Sequence, residues 1–520
     1  MNKLLVGGIL VGAIAAGGYF YAAHSLETSV ERMVVAYNEN EANGFTISYT
    51  DLDTSLLSRT ATITGIHAQN RATPENTVSV GTARLDVGFG FSAGTPRLKS
   101  VRLNNTKATN TTATVRVGYL HVAGESLEDL SMATSFPAWS GSLHKVEILD
   151  AEVLSITPES AFSLGAFQLD ISDGGNWLDE FLIKDVNITS TLPDGAPAQG
   201  KLDTFQIRGG NVGALLRFVE TTQAQALFGV ADPALSQQMA HEMAKESLNY
   251  FGFEGFELSG LAAELPNGIT INLDNASVTN ISRHAGIVTG ANSKIEEFVV
   301  SNLGKASPQA AQLLAIAGLD TFRLNGTSRI RYDDTSKSLQ GRSKMVVSDM
   351  FGIDSKMELS GVDVEKMAEK LLAVQQAQFD FMSQMQANPD EQLTPEEIND
   401  QMVERMIDAY TGYYSGFDLD LALADMGGTA RVLDVYSAMT GVPPETLQAA
   451  FIAGVKNTAK EELGDTTPES LMPAVNGFLA TPSQPLYLKV KTKKTPDEEI
   501  LRGLTAENWP ELLEVSFRVE

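Results

Sequence analysis

The chain has 520 residues, with 38 Lys and Arg against 65 Asp and Glu, a formal net charge of −27 at pH 7. Such an acidic excess argues against a nucleic-acid binder, whose phosphate contacts need clustered cations, and the lack of any cysteine excludes disulfide frameworks, Cys-ligated metal sites and thiol nucleophiles. Hydrophobic residues make up 43%, enough for sizeable cores in a length that suggests roughly two to four domains.

Residues 4–23 carry no charge. A helix of that length rises roughly 30 Å, the thickness of bilayer hydrocarbon. The pattern predicts a transmembrane anchor over residues 1–24, with Leu4, Leu5, Ile9, Leu10 and Ile14 along it and Tyr19, Phe20 and Tyr21 at its far end, where amphipathic rings favour headgroups. Lys3 is the only charged side chain before it, so the amino terminus is expected in the cytoplasm and the bulk of the chain across the membrane. Without Lys3 the −27 becomes −28 for the exported part. Gly8, Gly12 and Ala16 form a small-residue face on which two anchors could pack. The competing reading is a cleaved signal peptide with Ala13-Ile14-Ala15 as its processing site; it exports the chain equally.

Leu26, Val30, Met33, Val34 and Tyr37 recur at helical spacing and predict an amphipathic helix within 25–42, ended by Asn43-Gly44. Residues 43–210 read as β-rich. Phe45, Ile47 and Tyr49 alternate with Thr46, Ser48 and Thr50, and period-2 alternation returns at 101–103, 115–122, 146–148 and 167–171, giving strands with one apolar face. Such sheets cover a core on one side or line a groove. A weak repeat, Leu202-Asp-Thr-Phe205 and Leu319-Asp-Thr-Phe322, has related Phe-x-apolar steps at Phe256, Phe298 and Phe417. Each puts two apolar side chains on one strand face, as ordinary core Phe residues also would. Within 211–361, Asp232-Pro233 marks a helix start inside a helical insert, after which strands resume.

Residues 362–416 read as a helical hairpin. Val364, Met367, Ala368, Leu371 and Leu372 keep helical spacing, and Thr394-Pro395-Glu396-Glu397 opens the second helix. Residues 417–520 are expected to be helix-rich, with starts near Thr429, Pro443-Pro444, Thr467-Pro468 and Thr495-Pro496, and with strands at 417–423, 486–490 and 515–519. The predicted fold class is α+β: a transmembrane helix, then elongated amphipathic antiparallel sheets interrupted by helical hairpins, then a helix-rich end.

No catalytic, cofactor-binding or metal-binding set emerges. His241-Glu242-Met243-Ala244-Lys245 has Lys where a zinc-protease helix needs its second His. The Gly-rich segment at 88–94 has no following Lys and fits no phosphate loop. Asp418 and Asp420 share a strand face, as alternation requires, and Asp333-Asp334 reads as a hairpin turn. Two features are candidates for lipid or partner contact. Met382, Met385, Met402 and Met406 give the hairpin an adaptable apolar side, although packing on the chain's own sheet would use them equally. Eleven acidic residues in 363–408 oppose Lys366, Lys370 and Arg405 and disfavour direct contact with anionic lipid. Lys489, Lys491, Lys493 and Lys494 form the one basic run, and the plainer reading is an edge strand guarded by lysines.

The amino-terminal anchor, the amphipathic helix, Phe45-Thr-Ile-Ser-Tyr-Thr and Leu57-Ser58-Arg59-Thr60-Ala61 together resemble the YdgA-like family of bacterial envelope proteins. The run of amphipathic strands is similar to the AsmA-like group. The first resemblance implies a bacterial inner-membrane and periplasmic setting; the second implies elongated sheets with an apolar inner face, associated with phospholipid movement. Neither carries over a catalytic residue. Two functions are therefore expected as alternatives: a non-enzymatic envelope protein that binds or conveys phospholipid along a sheet groove, or a structural module that holds an envelope protein partner.

Overall fold

The computed structural model describes residues 26–39, 44–55, 58–89, 96–124, 143–156, 159–172, 177–191, 197–211, 252–265, 267–374, 412–463, 466–481, 484–495 and 509–519. The chain divides into two units, residues 1–217 with 256–266, and residues 218–255 with 267–520.

In the first unit, helix α1 (Leu26–Glu39) follows the predicted amphipathic pattern and precedes β1 (Phe45–Ser48), β2 (Asp51–Ser55), β3 (Thr60–Asn70), β4 (Thr77–Phe89), β5 (Pro96–Thr109), β6 (Ala113–Gly124), β7 (Leu143–Ile156), β8 (Glu159–Ser172), β9 (Trp177–Thr191), β10 (Pro197–Arg208) and β11 (Gly255–Glu264). Both β1 and β2 pair with β3, and each later strand to β10 pairs antiparallel with its predecessor. The core lies at the amino-terminal end of this meander, where Ile66, Ala68, Val78, Val80, Ala83 and Leu103 are buried and Tyr37 of α1 packs on them. Asn38 fixes that helix: its Nδ2 donates to the Ile47 carbonyl at 2.7 Å and its Oδ1 accepts the Ile47 N–H at 2.8 Å.

The strands are longer than the alternation predicted because their apolar parity switches midway. In β5 the apolar positions are Val101 and Leu103, then Ala108; in β4 they are Val78 and Val80, then Ala83 and Leu85. Both halves of β4 nonetheless contribute buried residues to one cluster, so the switch keeps them on one face. Left-handed residues do this locally: Asn105, Asp150 and Asp185 have φ of 53°, 53° and 52°. Each lies against a glycine of a neighbouring strand, Gly81, Gly118 and Gly165 respectively. A methyl at Gly165 would stand 2.8 Å from Asp185 Cβ, so the close approach needs glycine. An extra left-handed residue bends and twists a strand as a β-bulge does; repeated in successive strands, it creases the sheet.

The second unit contains β12 (Thr270–His284), β13 (Ile287–Ser301), a 3-10 turn (Leu303–Ala306), α2 (Pro308–Ala317), β14 (Thr321–Asp333), β15 (Ser338–Val347) and β16 (Phe351–Ser360). Helix α3 (364–374) follows, then β17 (Gly416–Asp425), α4 (Gly428–Thr440), α5 (Pro444–Leu463), α6 (Leu471–Ala480), β18 (Leu486–Thr492), α7 (Trp509–Leu512) and β19 (Leu513–Val519). The strands again pair in order, all antiparallel. The Asp333 turn joins β14 to β15, with its Oδ1 accepting the N–H groups of Thr335 at 2.9 Å and Ser336 at 3.2 Å. Val362, Val364 and Ala368 carry α3 onto Ile287 and Leu339. Arg431 of α4 donates to the Ala317 and Gly318 carbonyls at 2.5 and 2.8 Å, satisfying acceptors left open where α2 ends.

These features correct the predicted fold class. Among the described residues strands account for 60% and helices for 22%, so in them long antiparallel sheet, rather than a balance of sheets and helical hairpins, carries the architecture. Among the described residues no helix is long and apolar enough to cross a membrane. The structure thus gives no support to the transmembrane helix expected at the amino terminus, and that segment lies outside the described residues. So do the predicted helices of 212–251 and the second helix of the hairpin.

Candidate functional site

The site most fully formed by the fold is the apolar face of the first unit's sheet. The strand registers align Leu103, Leu120, Ile148, Phe167, Ile183 and Phe205 in one row. They align Val101, Val122, Val146, Leu169, Phe181 and Ile207 in a second. Leu103 is buried in the core and Val101, Leu120 and Val122 pack on the core clusters, whereas from Ile148 to Phe205 and from Val146 to Ile207 both rows are half-buried. Sequence alternation makes the stripe; strand order makes it continuous.

Four phenylalanines reinforce it. Phe167, Phe181, Phe205 and Phe256 meet edge to face, with centroid separations of 5.5, 5.8 and 5.7 Å. This is the arrangement favoured by ring quadrupoles, worth roughly 0.5–1.5 kcal/mol per pair. The Phe-x-apolar pattern singled out Phe205 and Phe256; Phe181-Leu182-Ile183 carries the same step, and register is what links it to Phe167 and Phe205. In the second unit the same pattern places Phe298 and Phe322 6.3 Å apart on neighbouring strands.

The opposite face of the first sheet is polar and its charges alternate. Asp86 is 3.5 Å from Arg102, Lys145 is 3.5 Å from Glu147 and 3.6 Å from Asp170, and His121 is 3.9 Å from Glu147. Burial would raise the Asp86 carboxyl, but hydrogen bonds from Ser100 and Arg84 and the charges of Arg102 and Arg84 together hold it below its ordinary value. Burial pushes the His121 imidazole down, Arg102 and Lys145 add to that, and Glu147 and Asp86 oppose it. Among the described residues no group of three or more His, Cys, Asp or Glu is placed to hold a metal ion.

The basic run is neutralised where it stands. Lys489 lies 3.5 Å from Asp420 and 3.9 Å from Asp418, Lys491 3.8 Å from Asp418, and Lys494 3.6 Å from Glu511. Lys493 Nζ donates to the Pro510 carbonyl at 2.6 Å. The strand that carries the first two, β18, lies between β17 and β19 and is not an edge. Met382, Met385, Met402 and Met406, together with Leu4, Leu5, Gly8, Ile9, Leu10, Gly12, Ile14, Ala16, Tyr19, Phe20 and Tyr21, lie outside the described residues.

Residues 344–519, which run from within β15 through β19, are similar to a family described as an uncharacterized protein. No curated protein matches the chain.

Proposed function

We propose that the protein binds an elongated apolar ligand, the acyl chain of a lipid, along the β7–β10 face of the first unit. The observation that carries this reading is the pair of registered apolar rows, half-buried across the four successive strands β7 to β10. Three inter-strand steps of about 4.8 Å make a stripe about 14 Å long, close to the roughly 15 Å that acyl chains occupy in one leaflet. Each methylene moved from water onto such a surface is worth up to about 0.8 kcal/mol, so about ten suffice for useful affinity after the costs of association. The resemblance to AsmA-like proteins agrees with a lipid ligand, and the bacterial envelope setting rests on the resemblance to the YdgA-like family alone.

Native mass spectrometry of the gently extracted full chain is expected to find co-purified phospholipid, and cis-parinarate, a fluorescent fatty acid, is expected to bind. Paired Phe181→Ser and Phe205→Ser substitutions should weaken parinarate binding at least about tenfold, the loss of two buried ring contacts. A lipid-free wild-type chain that also ignores parinarate would refute the reading.

A module that holds a protein partner is the second reading. It is favoured by Val432, Tyr436 and Met439, 42%, 56% and 65% exposed among the described residues, at helical spacing along α4. Photocrosslinking from position 436 should then capture one dominant protein, and diffuse capture would count against it.

A further inference from the structure

One row on the polar face of the second unit, across β14 to β16, departs from the sign alternation of the first unit. Its registers set Arg329 opposite Arg342 and Arg342 opposite Lys356, three cations abreast on β14, β15 and β16. Arg331 flanks them two residues along β14, and Lys344 two residues along β15, on the same face. Arg342 is 3.3 Å from Asp354. Arg329, Arg331, Lys344 and Lys356 are in no ion pair within 4.0 Å among the described residues, although the registers set Lys344 opposite Asp354 and Lys356 opposite Asp420. Like charges directly opposite one another destabilise an antiparallel pair, and this stands in a chain of net charge −27, where acidic partners are abundant.

The same face is hollowed. A basin of about 490 Å³ is lined by Thr279, Asn292, Lys294, Arg329, Arg342 and Lys344, among others. Guanidinium forks, ammonium groups and neutral hydroxyl and amide donors therefore converge on one small volume. That donor set matches a tetrahedral oxyanion: Arg engages phosphate bidentately, Lys acts as a point charge, and hydroxyls complete the oxygens. No aromatic side chain lines the basin, so unpaired bases have nothing to stack on, and its volume suits a small ligand.

We infer that this basin is a binding site for a phosphate-bearing ligand, with Arg329, Arg342 and Lys344 as its principal contacts. The inference is independent of the lipid reading, which concerns the other unit. The shared chemistry is a cluster of phosphate oxygens, carried either by a soluble oligophosphate or by a phospholipid headgroup.

The test uses the full chain and the double variant R329Q/K344Q, whose changed residues make no ion pair and so leave the fold intact. Thermal unfolding is followed with tripolyphosphate against sodium chloride at matched ionic strength. In parallel, flotation compares phosphatidylglycerol with phosphatidylcholine vesicles. A rise in Tm of about 3 °C with tripolyphosphate, absent in the variant, would support a soluble oligophosphate. Flotation with phosphatidylglycerol vesicles that the variant loses, without a tripolyphosphate effect, would support the headgroup source. The control K489Q/K491Q, which removes cations already paired with Asp418 and Asp420, should behave as wild type in both arms. If the wild type responds to neither probe, or the variant responds equally, the inference is overturned.

Discussion

The strand ladders of the two units share a construction, one apolar face and one polar face, but differ in what interrupts it. In the first unit a crease of left-handed Asn and Asp residues against glycines crosses strand after strand, while the polar face alternates in sign. In the second, β14 to β19 keep unbroken period two, and it is the polar face that is irregular, with like charges aligned. The contrast separates two uses of a meander: one sheet is bent along its apolar side, the other is charged along its polar side.

The crease supplies the largest expected effect. Gly260 on β11 has φ +62°, and a methyl there would stand 2.6 Å from Asp203 Cβ. Gly260→Ala therefore combines backbone strain with overpacking and should destabilise by about 3 kcal/mol, read as a shift in urea midpoint. Gly341→Ala on β15 meets nothing nearer than Met357 Cε at 3.6 Å, and the added methyl should stabilise by about 0.5 kcal/mol. Equal costs at the two sites would erase the distinction between the sheets.

The apolar faces come next. Phe181 makes two ring contacts, so Phe181→Ala should cost about 2 kcal/mol, whereas Met345→Ala, at a side chain 40% exposed, should cost about 0.5 kcal/mol. Chemical denaturation of each variant checks the ranking. An equal cost would mean that the ring ladder adds nothing beyond the area it covers.

The same contrast explains what the sequence disclosed. Strands at 417–423, 486–490 and 515–519 were legible because β17, β18 and β19 have no parity switch. In the first unit β5 and β7 showed only as the half-strands 101–103 and 146–148, because Asn105 and Asp150 shift the apolar positions by one. Asp333-Asp334 was legible as a turn because its hydrogen bonds are local. The cation row was not: Arg329, Arg342 and Lys356 are 13 and 14 residues apart, and only hairpin register brings them abreast. Conversely the contiguous lysines of 489–494 drew notice and proved to be paired, since sequence shows a run of charge but not the carboxylates on the next strand.

A smaller effect concerns acid. The unfolded chain takes up a proton at His121 near the ordinary value of 6.5, while the folded imidazole resists protonation to lower pH. Stability thus falls as pH drops below about 6.5 and stops falling once the folded value is passed. Asp86, whose folded carboxyl is held down, contributes stability above its ordinary 3.8 and loses it as pH falls through the folded value. His121→Gln should therefore reduce the drop in Tm between pH 7.5 and 5.5, while Asp86→Asn should lower Tm at both values. If His121→Gln leaves the drop unchanged, the imidazole is not the group that senses acid on this face.

The smallest effects have opposite signs in the two units, and for that reason discriminate best. Lys145 lies between Glu147 and Asp170 at 3.5 and 3.6 Å, so Lys145→Gln should cost about 0.5 kcal/mol at low salt. Arg329 faces Arg342, so Arg329→Gln should relieve repulsion and stabilise by about 0.3 kcal/mol. In about 1 M salt, where the screening length shrinks to about 3 Å, both differences should vanish. Opposite signs that converge with salt would establish that the first polar face is charge-balanced and the second is held in electrostatic strain. Destabilisation by Arg329→Gln at every salt concentration would instead mean that its stem packs on neighbouring strands, and repulsion would no longer explain the row.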